Sequence, residues 1–471
     1  MRALRRVLRL TVLAIAAAIA ARWAVVRFRR ILLQPTSDTT PPIRADEVAP
    51  QVRRIVISDL HLGAGDRLDD FDADAELATF IRAYVLREEP TELILAGDTF
   101  EFLQVRLPGL GDYEWSGEAA VRRLDAILQA HPAPIAALRE FVARPGCQLT
   151  LLIGNHDFEL HYAAAKAHLR HALDLRESDG RLRFGLTYSG GGMYIDHGMQ
   201  FDPWNRFVRV DGISTPFEVV RGTRMVKEVI NPLEEDALET APLIDNVKPS
   251  SAFFWHMLSL PRLRQPHVRQ FVVRGLLRLF RTNALPRLYY WNPRPALDPG
   301  RETSFASGVL QQVSTLFGRI RPAALIQLLR HQPRDRRSDV ALDEVQREAK
   351  RQLRREIRAF EDAMLREIAR IAASPAQCEN KLFVCGHTHS AQVVPLNDQQ
   401  TYINTGTWTA IVLDIATNRR EEQRFPFLVV HYPGDGSAPI GQLLVWGGAD
   451  VEPTLWHTEQ LKPETAAGKP A

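Results

Sequence analysis

Five short apolar runs along the chain each break off at a polar tip. Arg54–His61 (RIVISDLH), Glu92–Asp98 (ELILAGD), Leu149–Asp157 (LTLLIGNHD), Met193–His197 (MYIDH) and Lys381–His389 (KLFVCGHTH) place Asp, Asn or His directly after apolar or β-branched residues. Runs of this length bounded by Gly, Asn or Asp predict buried strands that stop at sharp turns. Between them Asp72–Arg87, Glu118–Gln129 and Pro134–Val142 read as helices. Strands and helices thus alternate from about Val52 to His197, the rhythm of an α/β sheet covered by helices. Ligands bind outside the carboxyl ends of the strands in an open α/β sheet, so five such tips can converge on one crevice.

The rhythm breaks for about 190 residues between His197 and His387. Gln265–Arg281 predicts a helix with Arg274, Arg278 and Arg281 on one face and Val268, Phe271, Val272, Leu276, Leu279 and Phe280 on the other, followed by Tyr289, Tyr290 and Trp291. Its three readings are a helix packed on the core with solvated arginines, a basic amphipathic surface on anionic lipid, and a surface for nucleic acid. Asp339–Ala373 predicts one long charged helix. Strands return as KLFVCGHTH, AQVVPL, TYINTGTW, FPFLVVHY and QLLVWGG. The expected organisation is a membrane-associating segment 1–33, a linker 34–51, a catalytic domain 52–456 interrupted by a mainly helical insertion 205–375, and a tail 457–471. The linker expectation rests on the Pro, Thr and acidic content of QPTSDTTPPIRADEVAPQ, which offers little apolar surface to pack.

Charge adds an asymmetry that the net +3 conceals. Eight Arg precede the first acid, Asp38, and fifteen Arg stand against three acids between Arg262 and Arg337, so the remainder of the chain is acidic. An acidic body with two basic extensions suggests a metal-binding core and a surface for an anionic partner, membrane or nucleic acid. Within the first extension, Leu10–Ala21 is a clean apolar run, continued past Arg22 by Trp23–Val26. It reads as a short membrane anchor, an interfacial helix or a cleaved signal, with the catalytic domain expected on the cytoplasmic side. Four Arg on each flank leave the orientation open. Cys147, Cys378 and Cys385 are an odd number without a C-x-x-C spacing, which argues against a disulfide framework and against a structural zinc site.

The chemistry lies at the tips. Asp59, His61, Asp98, Asn155, His197, His387 and His389 are seven oxygen and nitrogen donors with no thiolate among them. Imidazoles mixed with carboxylates suit Mn²⁺, Fe or Zn²⁺, and seven donors with one shared carboxylate meet the needs of two divalent ions. Such a pair acidifies a water between them and supplies hydroxide for in-line attack on phosphorus. His156, beside a ligand but not needed as one, can give a hydrogen bond or proton to the phosphate or its leaving oxygen. Asp157 is expected to orient that imidazole or, alternatively, to cap a helix. Asp98 and Glu101 have the spacing of a capping box, which competes with a supporting role for Glu101 at the centre.

The blocks Asp59-Leu60-His61, Gly97-Asp98-Thr99-Phe100-Glu101, Gly154-Asn155-His156-Asp157, His197-Gly198 and Gly386-His387-Thr388-His389 resemble, in order and kind, those of calcineurin-like metallophosphoesterases. The resemblance spans about Val52 to Gly198 and Lys381 to Trp446. It implies a two-sheet sandwich flanked by helices, with one metal held by Asp59, His61, Asp98 and His389 and the other by Asp98, Asn155, His197 and His387, Asp98 bridging. Manganese is the first expectation. The first two blocks are most similar to UDP-2,3-diacylglucosamine pyrophosphohydrolases, peripheral membrane enzymes that carry Arg where this chain has His156 and that lack so long an insertion. The resemblance therefore carries metal binding and phosphoester hydrolysis but not the substrate. The expected substrate is a phosphorylated small molecule or lipid, membrane-associated or nucleotide-linked, cleaved at a phosphoester or pyrophosphate bond. The alternatives are a nuclease that holds backbone phosphates on the basic insertion and a non-catalytic membrane scaffold on the same fold.

Overall fold

A computed structural model describes residues 33–49, 52–87, 90–236, 252–260, 265–284, 336–409, 424–434 and 438–456. The apolar run of the expected membrane segment, the aromatic group Tyr289–Trp291 and the tail lie outside the described residues. No helix among the described residues is long and apolar enough to cross a membrane.

The predicted strands assemble into two sheets. One is centred on parallel β2 (Arg53–Ile57), β3 (Thr91–Ala96), β4 (Cys147–Leu152) and β5 (Leu182–Gly185). It is extended from β2 by antiparallel β12 (Phe425–His431), β13 (Ile440–Trp446) and β14 (Thr454–Leu455) to seven strands. The other has five: β6 (Thr187–Gly190) pairs antiparallel with β7 (Met193–Asp196), β9 (Leu382–Cys385) runs parallel to β7 and to β11 (Thr401–Asn404), and β10 (Gln392–Pro395) closes the edge.

Both faces of these central strands are buried, which is why they read as continuous apolar runs. Val56, Ile94, Leu152, Leu428 and Val430 of the larger sheet meet Ile195, Val384 and Ile403 of the smaller one in a shared core. Their neighbours point outward, following the two-residue period of a strand. Ile55, Ile57, Leu93, Leu95, Leu149 and Leu151 pack under helices α1 (Asp74–Ala83), α2 (Gly117–Ala130), α3 (Pro132–Ala143) and α4 (Ala163–Ala172). Ser116 starts α2 by accepting a hydrogen bond from the Ala119 N–H, the expected action of a serine at that position. On the far side, Phe383, Cys385 and Tyr402 pack against Met364, Ile368 and Ala372.

Those last three residues belong to the insertion. Its helices α5 (Arg221–Met225), α6 (Asn231–Asp236), α7 (Phe253–Ser259), α8 (Pro266–Ala284) and α9 (Arg336–Ala372) build a separate core around Met225, Val229, Leu233, Trp255, Leu258, Phe271 and Val345. A π-helical turn, Val226–Ile230, joins α5 to α6. α8 buries Val268, Phe271, Val272 and Leu279 while Arg274 and Arg281 are exposed and Arg278 half-buried, so the apolar stripe packs as the periodicity predicts. The long α9 bridges the two bodies: Leu342, Val345, Ala349 and Leu353 lie in the insertion core, and its last turns cover the five-stranded sheet.

The expected linker is folded. β1 (Gln34–Thr39) pairs antiparallel with β8 (Gly212–Thr215), Ile43 and Val48 enter the inter-sheet core, and the Thr40 hydroxyl meets buried His161 at 2.9 Å. Composition misleads here because β pairing satisfies backbone groups whatever the side chains, and two apolar residues suffice to anchor a short arm.

Candidate metal centre

The ends of β2, β3 and β4 in one sheet and of β7 and β9 in the other open onto the same crevice, and all seven predicted donors are buried there. Six of them fall into two groups of side chains close enough to hold an ion, Asp59, His61 and His389, and Asp98, His197 and His387; a third such group, His61, Glu101 and His156, adjoins the first through His61. In the first, His389 Nε2 lies 3.3 Å from Asp59 Oδ1 and 3.2 Å from His61 Nε2. In the second, His197 Nε2 lies 3.0 Å from Asp98 Oδ2, and the His197 and His387 ring centres are 5.2 Å apart. Asp98 Oδ2 is also 4.0 Å from His61 Nε2, so this carboxylate stands between the groups.

The backbone is bent to present them. Six described non-glycine residues have positive φ, and five are predicted ligands: Asp59, His61, Asp98, His387 and His389, at 50–68°. Such a conformation costs roughly 1–3 kcal/mol per residue and persists at functional sites where the surroundings over-determine it. Two glycines permit the crowding. A Cβ at Gly154 would stand 2.1 Å from Asp98 Oδ1, and one at Gly386 2.2 Å from Asp59 Oδ2.

Divalent cations fit this donor set. Asn155 Oδ1 is buried without a hydrogen-bond partner, which costs a few kcal/mol unless an ion or water satisfies it; beside it Asp98 Oδ2 and His197 Nε2 face each other at 3.0 Å. His197 Nδ1 meets the Ala96 carbonyl at 3.0 Å; donating its N–H there turns the lone pair of Nε2 inward, the usual way a ligating histidine is aimed. The His156 N–H donates to Asp98 Oδ1 (2.8 Å), and the His387 N–H to both Asp59 oxygens (3.0 Å each). Each of these carboxylates is thus held by the loop of another strand.

The carboxylate at His156 differs from the expected one. Asp157 accepts from the Thr99 N–H (2.8 Å) and the Gly154 N–H (2.6 Å), tying the β3 and β4 loops together; it neither orients His156 nor makes a side-chain cap. Its carboxyl sits too far back, toward the turn that it closes. Glu101 takes the orienting place, with Oε2 on His156 Nδ1 and 3.0 Å from His61 Nδ1, and with Oε1 accepting from the Leu103 N–H. No capping box forms between Asp98 and Glu101, because both side chains face the centre. Burial raises the Glu101 carboxyl, but the charge and hydrogen bond of His156 and the hydrogen bond of His61 outweigh it and bring it to about 2. An ionised Glu101 fixes both rings with Nδ1–H outward and Nε2 toward the centre.

Residues 52–280 match the calcineurin-like phosphoesterase family. This stretch is a calcineurin-like phosphoesterase domain. The chain is accordingly a phosphoric ester hydrolase, in a family whose members use divalent metals. His387 and His389 lie beyond the matched stretch, and the parallel pairing of β9 with β7 returns them to it. No curated protein matches the chain.

Proposed function

We propose that the chain is a dinuclear phosphoesterase, with one divalent ion at Asp59, His61, Asp98 and His389 and a second at Asp98, Asn155, His197 and His387. Mn²⁺ is the first choice, and Fe or Zn²⁺ also suit these donors. The reading is carried by the left-handed backbone of five predicted ligands, which gathers two buried clusters of donors beside an Asn155 Oδ1 that has no hydrogen-bond partner. Divalent cations held there supply charge stabilisation for a phosphoryl group and make water acidic enough to act near neutral pH. His156, with Nδ1 on Glu101, directs Nε2 toward the substrate and donates a hydrogen bond or proton to a phosphate or leaving oxygen. Glu101 holds that ring and His61 together, so the proton donor and one ligand share an orienting group.

The proposed substrate carries a phosphoester or pyrophosphate in a membrane-associated or nucleotide-linked molecule. Half-buried Phe360 of α9, its ring centre 6.3 Å from that of His387, brings apolar surface to the edge of the centre, which suits an amphiphile. We further propose that α8 faces an anionic membrane, its arginines acting with the N-terminal segment, because one short apolar segment anchors weakly and a second signal makes attachment firm.

The test is metal analysis of the purified full chain, followed by phosphomonoester, phosphodiester and pyrophosphate substrates. Two ions per chain and hydrolysis of at least one class are expected. A chain with no bound metal and no turnover would favour the scaffold reading. For the membrane surface, changing Arg274, Arg278 and Arg281 to Gln should weaken sedimentation with anionic liposomes by roughly two orders of magnitude, at about 1 kcal/mol per Arg. Binding indifferent to lipid charge would return α8 to packing alone. Salt-sensitive binding of single- or double-stranded nucleic acid would favour the nuclease.

A further inference from the structure

His197 is followed by a left-handed Gly198, a single 3₁₀ turn Met199–Phe201, and then Asp202 and Asn205, both buried. Asp202 Oδ2 lies 3.2 Å from His387 Nε2 and accepts from Asn205 Nδ2 at 2.6 Å, while Oδ1 accepts from the Trp204 N–H at 2.8 Å. Asn205 in turn accepts from Asn155 Nδ2 on its own Oδ1, at 3.5 Å. One carboxylate and one amide therefore touch two side chains of the second ligand group, and neither touches the first.

The chemistry of these contacts is directional. An ionised carboxylate at Nε2 selects the His387 tautomer with its proton there, so Nδ1 is the nitrogen through which this ring would ligate. An amide that gives Nδ2 to Asn205 must turn its carbonyl the other way, and Asn155 Oδ1 is one of the buried atoms without a hydrogen-bond partner. The insertion is shaped around the pair. A Cβ at Gly222, in the first turn of α5, would lie 1.7 Å from Asn205 Oδ1, and the Gly222 N–H donates to the Trp204 carbonyl at 2.8 Å. Only glycine leaves Asn205 this position.

We propose that Asp202 and Asn205 are positioning residues that aim His387 and Asn155 at one of the two ions, so that the start of the insertion sets the affinity of that ion alone. The inference rests on the dinuclear reading above and deepens it. Orienting partners of metal ligands typically contribute 10–100-fold to metal affinity.

Stepwise Mn²⁺ titration of the metal-free full chain, read by metal content after desalting, tests this on Asp202→Ala and Asn205→Ala. The expected result is that one ion weakens about 10–100-fold while the other keeps its wild-type affinity, with circular dichroism unchanged. Asn205→Ala removes no charge and keeps the test readable should Asp202→Ala fail to fold. Two ions at wild-type affinity in Asn205→Ala, or parallel loss of both, would overturn the inference. A wild-type chain that binds a single ion would instead sink the dinuclear reading. The pair would then be supported by a tenfold or greater loss of that ion in Asn205→Ala and overturned by none. Imidazole nitrogen shifts give a readout independent of metal: His387 should be protonated at Nε2 in the wild type and lose that preference in Asp202→Ala.

Discussion

The two ligand groups differ in what supports them. Around Asp59, His61 and His389 the supports come from the phosphoesterase frame itself: Glu101 at His61, and Ser58 Oγ together with the His387 N–H at Asp59. Around Asp98, Asn155, His197 and His387 part of the support comes from Asp202 and Asn205, on the segment leading into the insertion and fitted against its first helix. One group is thus supported from within the two-sheet frame, and the other in part from the segment that leads into the insertion.

The most drastic way to break this contrast is Asp98→Ala, because this carboxylate stands between the groups. We expect loss of activity together with loss of metal from both positions, measured by metal content and turnover. A variant that retains two ions and near-native turnover would refute the bridging role.

His156→Gln should leave both ions in place while kcat falls about 10²–10⁴-fold, the usual contribution of a positioned acid or base. Metal loss in this variant would move His156 from proton donor into the ligand set.

Glu101→Gln sharpens the contrast from the other side. An amide at the His61 and His156 rings holds them less firmly than a carboxylate, so the ion of the Asp59 group should weaken about 10–100-fold while that of the Asp98 group is unchanged. This is the mirror image of the Asp202 result. A fall confined to the Asp98 group would mean that the supports are assigned to the wrong halves.

The smallest effect is expected outside both groups. Burial holds His161 neutral, and Lys166 adds to the shift, bringing its pKa down to about 3 from an ordinary 6.5. Between these values the unfolded chain takes a proton that the folded chain refuses, so stability contributed above pH 6.5 is lost as the pH falls, by up to about 1.4 kcal/mol per unit. His161→Gln should flatten this part of the curve, and chemical denaturation of both proteins at pH 6.5 and pH 5 with metal present isolates it. Equal losses in both would mean that the imidazole accepts its proton in the fold.

Much of the frame was legible in the chain. Arg54–His61 and its four counterparts became strands because runs of Ile, Leu and Val stop at Gly, Asn or Asp, and Asp339–Ala373 became α9 within a few residues of its expected bounds. The gathering of Asp59, His61, Asp98, Asn155, His197, His387 and His389 at one end of the sheets follows from the same pattern, since each comes just after such a run. Residues 34–49 were not, because the pairing of β1 with β8 is a backbone property that composition does not record.

Sequence by itself determined the strands, their polar tips and the kind of donor on each, since these follow from local periodicity and residue chemistry. Only the tertiary structure decided which carboxylate serves which histidine. Asp157 is next to His156 in the chain, yet the turn aims it at Gly154 and Thr99; Glu101 reaches the ring from another strand, and Asp202 reaches His387 across 185 residues. Local sequence sets where a side chain is attached, but the direction it points at a left-handed strand end depends on which neighbouring strand closes over it.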